Sequence, residues 1–255
     1  MPDFTIAAIS MSLPRFYSPN LLPIGRIVSL ATNAAVHASR ALRLQPGDSI
    51  ILFNGDGIDY HCELVAVKKL AVEARIVSAH ENRTESPLKV TLAQAISSGD
   101  RMDYTIQKAV EMGVTAIQPI ASQRSVVKLS GERADKRREH WQNIVISACE
   151  QSGRAFVPQV ATALSLASWL AQMPAYALCI TLAPHATQTI QELASPPGPI
   201  CLLVGCEGGL SEAEIDLAAC RDFTAIRLGK RVLRTETAAL AALAAIQTLW
   251  GDFSK

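Results

Sequence analysis

The chain has 255 residues, 49% of them apolar and 18% charged, which suits one large domain or two modest ones and argues against disorder. Lysine and arginine number 24 against 23 acids, so no global field announces nucleic acid, and any such surface has to be a local patch. The six cysteines, at 62, 149, 179, 201, 206 and 220, form no CxxC pair, which speaks against zinc; three sit in apolar runs, as free thiols of a reducing compartment do.

No apolar run reaches the length of a membrane span, and the opening residues lack the cationic start and apolar core of a signal peptide, so a cytoplasmic protein is expected. Residues 1–12 read as an extension, with Met11 itself a candidate start. Up to about residue 83 the rhythm is short strands and turns. A helical piece at 36–44 precedes QPGDSIILFNGDGIDYHCELVAVKKLAVEARIVSA (45–79), where PGD and NGDG are turn signals. Tyr60, Cys62, Leu64 and Ala66 alternate with polar neighbours, as do Val72, Ala74 and Ile76. Such period-two runs predict antiparallel hairpins in a small barrel over 13–83, and HENRTESP (80–87) is the best boundary.

From residue 84 to 255 strand and helix alternate. LKVTLAQAI is a strand. DRMDYTIQKAVEMG is a helix with Met102, Ile106, Ala109 and Val110 on one face and Gly113 as its stop. VTAIQPI is a second strand, and a long helix over 132–151 carries Trp141, Ile144, Val145 and Ala148 on one stripe and ends at Gly153. YALCITL, ICLLV and FTAIRLG are further strands; SEAEIDLAA and TETAALAALAAIQTLW are helices. This alternation predicts an α/β domain with a mostly parallel sheet covered on both faces.

Three strand ends carry ligand-like turns. LLVGCEGGLSEAEIDLAA (202–219) is a strand, a glycine turn and a helix whose Ser211 and Glu214 fit a capping box. Glu207 in that turn would repel a phosphate, and neither GxGxxG nor a P-loop lysine is present. Either the turn is plain structure or its ligand has no phosphate. IRLGKRVLRTETAALAAL (226–243) packs Lys230, Arg231 and Arg234 before Thr235, a candidate N-cap, and ITLAPHATQ (180–188) leaves its strand into Ala183-Pro184-His185. Together they predict a cleft at the carboxyl edge of the sheet. A ligand with a cation, an apolar ring and no phosphate tolerates Glu207, and S-adenosylmethionine has those properties.

VGCEGGLSEAEI followed by LGKRVLRTETAALAALAA resembles the paired signature of the RsmE family, 16S ribosomal RNA uridine N3-methyltransferases of the SPOUT superfamily. LPRFY (13–17), residues 99–128 and HWQNIVISACEQSGR (140–154) match as well, so the resemblance covers nearly all of 13–252. It implies a PUA-like β-barrel joined to a trefoil-knotted α/β methyltransferase domain, and a homodimer acting on 16S ribosomal RNA or the small subunit. Composition and rhythm alone would lead to a plain doubly wound sheet. Carried over, the cofactor pocket falls on Leu182, Ala183, Pro184, Val204, Gly205, Cys206, Glu207, Gly208, Gly209, Leu228, Gly229, Val232, Leu233 and Thr235. Cys206 stands where the family has proline, which leaves the turn less pre-set.

Arg231 or Arg234 is expected to favour negative charge on the uracil oxygens, and Glu207 and His185 are the titratable groups near the loops. Arg15, Arg124, Lys128, Lys136, Arg137 and Arg138, with Arg133, are the candidate RNA contacts, although Phe16 and Tyr17 beside Arg15 equally suit a core. Leu240, Leu243 and Ile246 in the alanine-rich last helix read as a core or dimer face. No metal is expected. The alternative function is a non-catalytic ribosomal RNA-binding protein. A nicotinamide dehydrogenase is weak, because no dinucleotide fingerprint follows a strand.

Overall fold

The computed structural model describes residues 13–125 and 131–253. The chain divides into two compact units between Arg83 and Thr84.

The first unit is built on one five-stranded sheet. Its strands are β1 (Arg15–Tyr17), β2 (Ile27–Ser29), β3 (Ser49–Phe53), β4 (Ile58–Lys68) and β5 (Ala71–Glu81), in the spatial order β1-β3-β4-β5-β2. The alternation seen in the sequence sets the buried face: Val72, Ala74 and Ile76 point into the core and their neighbours point out. Cys62 and Leu64 join them from β4, whose register slips between His61 and Cys62 and again between Leu64 and Ala66. The sheet is mixed. β3, β4, β5 and β2 pair antiparallel as the hairpin signals predict, but β1 runs parallel to β3, with Phe16 opposite Leu52. The helical piece also begins earlier than expected. Helix α1 spans Thr32–Val36 and continues as a π-helical turn over His37–Ala41.

The second unit is a parallel sheet flanked by helices. It runs through β6 (Val90–Ala95), α2 (Asp100–Glu111), β7 (Ala116–Ala121), α3 (Glu132–Ser152), β8 (Gln159–Val160), β9 (Leu164–Ser165), α4 (Leu166–Gln172), β10 (Leu178–Leu182), β11 (Ile200–Val204), α5 (Glu212–Ala219), β12 (Phe223–Ile226) and α6 (Thr235–Trp250). The strand order is β12-β10-β11-β6-β7-β8, with β9 also on β7, and every pairing is parallel. β11 is buried along its whole length because helices cover both faces, and each such aliphatic side chain contributes roughly 1.5–3 kcal/mol. Helix α2 buries Met102, Ile106, Ala109 and Val110, and the chain leaves it at Gly113, whose φ of +82° most residues resist. Gly153 ends α3 in the same left-handed conformation, its N–H on the Cys149 carbonyl. Trp141, Val145 and Ala148 of that helix are buried and Ile144 is half-buried. Alanines let α6 lie close: Ala239, Ala242, Leu243 and Ile246 are buried, while Leu240 is only half-buried.

The threading of this sheet positions the site. β11 is inserted between β10 and β6, and β12 lies outside β10, so the carboxyl ends of β10, β11 and β12 stand side by side. Leu182 pairs with Ile226, and Val204 pairs with Gln94 of β6.

Candidate functional site

The three adjacent strand ends open into one cleft of about 640 Å³. Leu182 to Ala186 follow β10, Val204 to Leu210 follow β11, and Arg227 to Gly229 with Arg231 to Leu233 follow β12. All fourteen residues expected to hold the cofactor line it. The turn after β11 can double back only because residue 205 is glycine. A Cβ there would sit 2.7–2.8 Å from the backbone of Gly209 and Leu210, and the return is closed by Gly209 N–H on the Cys206 carbonyl at 2.8 Å. Gly209 itself has φ +69°. Ser211 then caps α5 as its spacing with Glu214 predicts, each accepting the other's backbone N–H at 3.2 and 2.9 Å.

Around this turn a set of long-range hydrogen bonds forms that no local pattern announces. Glu207 is latched to the loop between β6 and α2: its Oε1 accepts from Ser98 N–H (2.8 Å), the Ser98 hydroxyl (2.7 Å) and Arg101 Nη1 (3.0 Å). Partial burial alone would raise its pKa. The Ser98 hydroxyl and N–H, its own backbone N–H and the Arg101 guanidinium outweigh that and hold the carboxyl at about 2. From the other side Arg124 donates to the Gly208 and Leu210 carbonyls at 2.8 and 3.3 Å, and Gln123 N–H donates to Glu214 at 2.8 Å. The Ser122 hydroxyl donates to Cys206 Sγ at 3.6 Å, so this buried thiol is turned toward β7. Below the turn, the Thr235 hydroxyl donates to the Gly205 carbonyl (2.6 Å) and accepts from fully buried Gln94 Nε2 (3.0 Å). Thr235 is therefore the first residue of α6 and not its N-cap. Arg234 takes the cap position and makes no side-chain cap bond.

The other expected site residues separate. Arg231 is exposed and lines the cleft; Arg234 is exposed but does not line it, and among the described residues neither side chain makes an ion pair or a hydrogen bond. His185 is exposed at the rim. Arg15 is committed elsewhere, in a two-pronged pair with Asp59 at 2.8 Å on each side, its guanidinium 5.2 Å over the Phe53 ring. Phe16 beside it is core, 1% exposed, and Tyr17 leans on Phe53. Arg124 braces the glycine turn after β11 and lies outside α3. On α3, Arg133, Lys136 and Arg138 are exposed, and Arg137 lies 5.9 Å over Trp141. Lys128 falls outside the described residues. Sequence reasoning passed over Arg124, Arg227, Glu212 and the helix residues Ile215 and Ala238 as cleft wall. Among the described residues no group of three His, Cys, Asp or Glu could hold a metal ion, and no helix is long and apolar enough to cross a membrane.

Residues 84–247 match the family model for an RNA methyltransferase domain and residues 33–77 that for an RNA methyltransferase PUA domain. With the parallel sheet and its carboxyl-edge cleft, these define an RNA methyltransferase with a SPOUT α/β domain and a PUA-like unit. The chain is 34% identical to ribosomal RNA small subunit methyltransferase E of Buchnera aphidicola subsp. Schizaphis graminum, over 95% of this chain and 98% of that one. It is similar to the crystal structure of a ribosomal RNA small subunit methyltransferase E from Neisseria gonorrhoeae bound to S-adenosyl methionine, with TM-score 0.88, 47% identity and coverage of 94% and 99%. A putative methyltransferase from Legionella pneumophila, solved with the same cofactor, superposes with TM-score 0.91 at 38% identity, covering 94% and 99%. The chain belongs to the ribosomal RNA small subunit methyltransferase E family.

Proposed function

We propose that the protein methylates N3 of a uridine in 16S ribosomal RNA and holds S-adenosylmethionine in the cleft at the ends of β10, β11 and β12. The observation that supports this most is the chemistry of the cleft. Its volume suits a nucleoside-sized ligand, its walls are aliphatic (Leu182, Val204, Leu228, Leu233), and its glycine turn carries a carboxylate where a phosphate cradle would need a cation. The cofactor supplies an electrophilic methyl group on a sulfonium.

The protein's own residues have two further tasks. Uracil N3 is a weakly acidic imide nitrogen, and it becomes nucleophilic as its proton leaves and negative charge spreads onto the carbonyl oxygens. Arg231, open and facing the cleft, supplies the compensating charge. Arg234, open but outside the cleft, suits the phosphates that flank the target. Glu207 is a poor proton acceptor, since three donors already converge on one oxygen and its carboxyl is held at about 2. The N3 proton therefore leaves to His185 or to water. Glu207 acts instead by fixing the turn against Ser98 and Arg101. The exposed bases of α3 and the PUA-like unit hold the RNA, two copies of the chain associate through the methyltransferase domain, and the enzyme works in the cytoplasm with the ribosome's small subunit. Transfer of labelled methyl from S-adenosylmethionine into 16S ribosomal RNA, with the product digested and identified as 3-methyluridine, tests the reading. Binding of RNA without transfer would make the protein a non-catalytic binder.

A further inference from the structure

With Arg15 tied to Asp59, the open cations of the PUA-like unit lie elsewhere, and four of them gather around one end of its sheet. The π-helical turn His37–Ala41 carries Arg40. Ser39, on the same turn, donates its hydroxyl to the Lys69 carbonyl at 3.1 Å, at the tip of the β4–β5 hairpin, and so brings Arg40 to the side of Lys68 and Lys69. The turn closes through Leu42 N–H on the His37 carbonyl and Leu44 N–H on the Ala38 carbonyl, both at 3.0 Å, and leaves Arg43 at φ +53°. Arg40, Arg43, Lys68 and Lys69 are all exposed, and among the described residues none of these side chains makes an ion pair or a hydrogen bond. Leu42 and Leu70 stand among them, 42% and 60% exposed. The neighbouring acid Asp48 is occupied by Gln45 N–H at 2.7 Å, and Glu73 lies further along β5.

Three features here work against the fold. Cations without acidic partners sit on two turns joined by the Ser39–Lys69 bond, an arginine occupies a conformation that glycine or asparagine adopts more easily, and a π-turn replaces regular helix. A polyanion would compensate the charge, and the leucines offer an apolar surface against which an unstacked base or sugar can rest. We propose that this end of the PUA-like unit is an RNA-docking surface, with the phosphate backbone of ribosomal RNA laid across Arg40, Arg43, Lys68 and Lys69. The inference rests on the reading of the substrate as ribosomal RNA.

Two variants of the full chain test it. Arg43→Gly relieves the backbone conformation, so lost folding cannot explain a defect. The second combines Arg40→Gln, Arg43→Gln, Lys68→Gln and Lys69→Gln. Binding of a 16S ribosomal RNA transcript is followed between 50 and 200 mM salt, beside cofactor titration and methylation kinetics. Arg43→Gly should keep or raise the melting temperature, raise the KM for RNA severalfold, and lower the salt slope by about 0.7–0.9. The combined variant should lower the slope by about 3 and raise KM more than tenfold, with cofactor affinity and the rate at saturating RNA unchanged. A folded combined variant with the slope and KM of the parent overturns the surface, while the parent's own methylation still supports the enzyme. A parent protein that neither binds nor methylates ribosomal RNA removes the functional reading, and this inference with it.

Discussion

Replacing Glu207 separates a latch from a base. The three hydrogen bonds that latch it to Ser98 and Arg101 all land on Oε1, so Glu207→Gln keeps an oxygen for both Ser98 donors and loses only the charge, whereas Glu207→Ala removes everything. A carboxyl held at about 2 against an ordinary 4.5 corresponds to about 3 kcal/mol in favour of the ionised, latched state. Arg101 is 43% exposed and the Glu207 side chain 26%, so solvent screens much of this and about 1–2 kcal/mol remains. Because the folded value is depressed, the contribution is complete above about pH 4.5 and is lost as pH falls toward about 2. Denaturant melts across that window should show a slope in the parent that Glu207→Gln lacks. At neutral pH, calorimetry with S-adenosylmethionine should give about tenfold weaker binding for Glu207→Ala, or 1.4 kcal/mol, and about threefold for Glu207→Gln. The rate at saturating cofactor should survive in both. Unchanged affinity in folded Glu207→Ala would refute the latch. A Glu207→Gln enzyme with normal affinity and a rate down by about 10²-fold or more would make the carboxylate the proton acceptor after all.

Arg231→Gln should lower the single-turnover methylation rate by about 10²-fold while cofactor titration stays near that of the parent. Gly208 lies outside the left-handed region, so Gly208→Val suffers no backbone strain; its Cβ meets Arg124 Cβ at 3.1 Å and should push that arginine off the turn. A near-native melt with cofactor affinity down about tenfold is expected, and adding Arg124→Ala should cost less than the sum of the two changes. Thr235→Val removes the hydroxyl between Gly205 and Gln94 while the Gln94 amide keeps the Ala95 and Gly205 carbonyls at 3.0 and 3.3 Å, and should destabilise a denaturant melt by about 0.5–1.5 kcal/mol.

The parts of this molecule legible in the sequence are those written in local pattern. Period two set the faces of β4 and β5, the Ser211–Glu214 spacing set the start of α5, and the strand–glycine–helix corners gave the cleft its wall. What the pattern withheld is pairing at a distance. Arg15 beside two aromatic rings looks like a surface for RNA until Asp59, from another strand, takes its guanidinium. Thr235 before a helical run looks like a cap, yet its hydroxyl is drawn to Gly205, from a different loop. One signal was available: Gln94 is the amide inside the largely apolar run LKVTLAQAI, and a buried amide in such a strand must find partners. The insertion of β11 between β10 and β6 cannot be read from periodicity, which carries no strand order; the likeness to a known family implied only a knotted domain in place of a plain doubly wound sheet.

The central claim is tested most directly by nucleoside mass spectrometry of 16S ribosomal RNA from cells that lack the protein. The account predicts that 3-methyluridine disappears, returns when the intact chain is supplied, and fails to return with Gly205→Val, whose side chain would collide with the Gly209 and Leu210 backbone in the cofactor turn. Undiminished 3-methyluridine in those cells would contradict it.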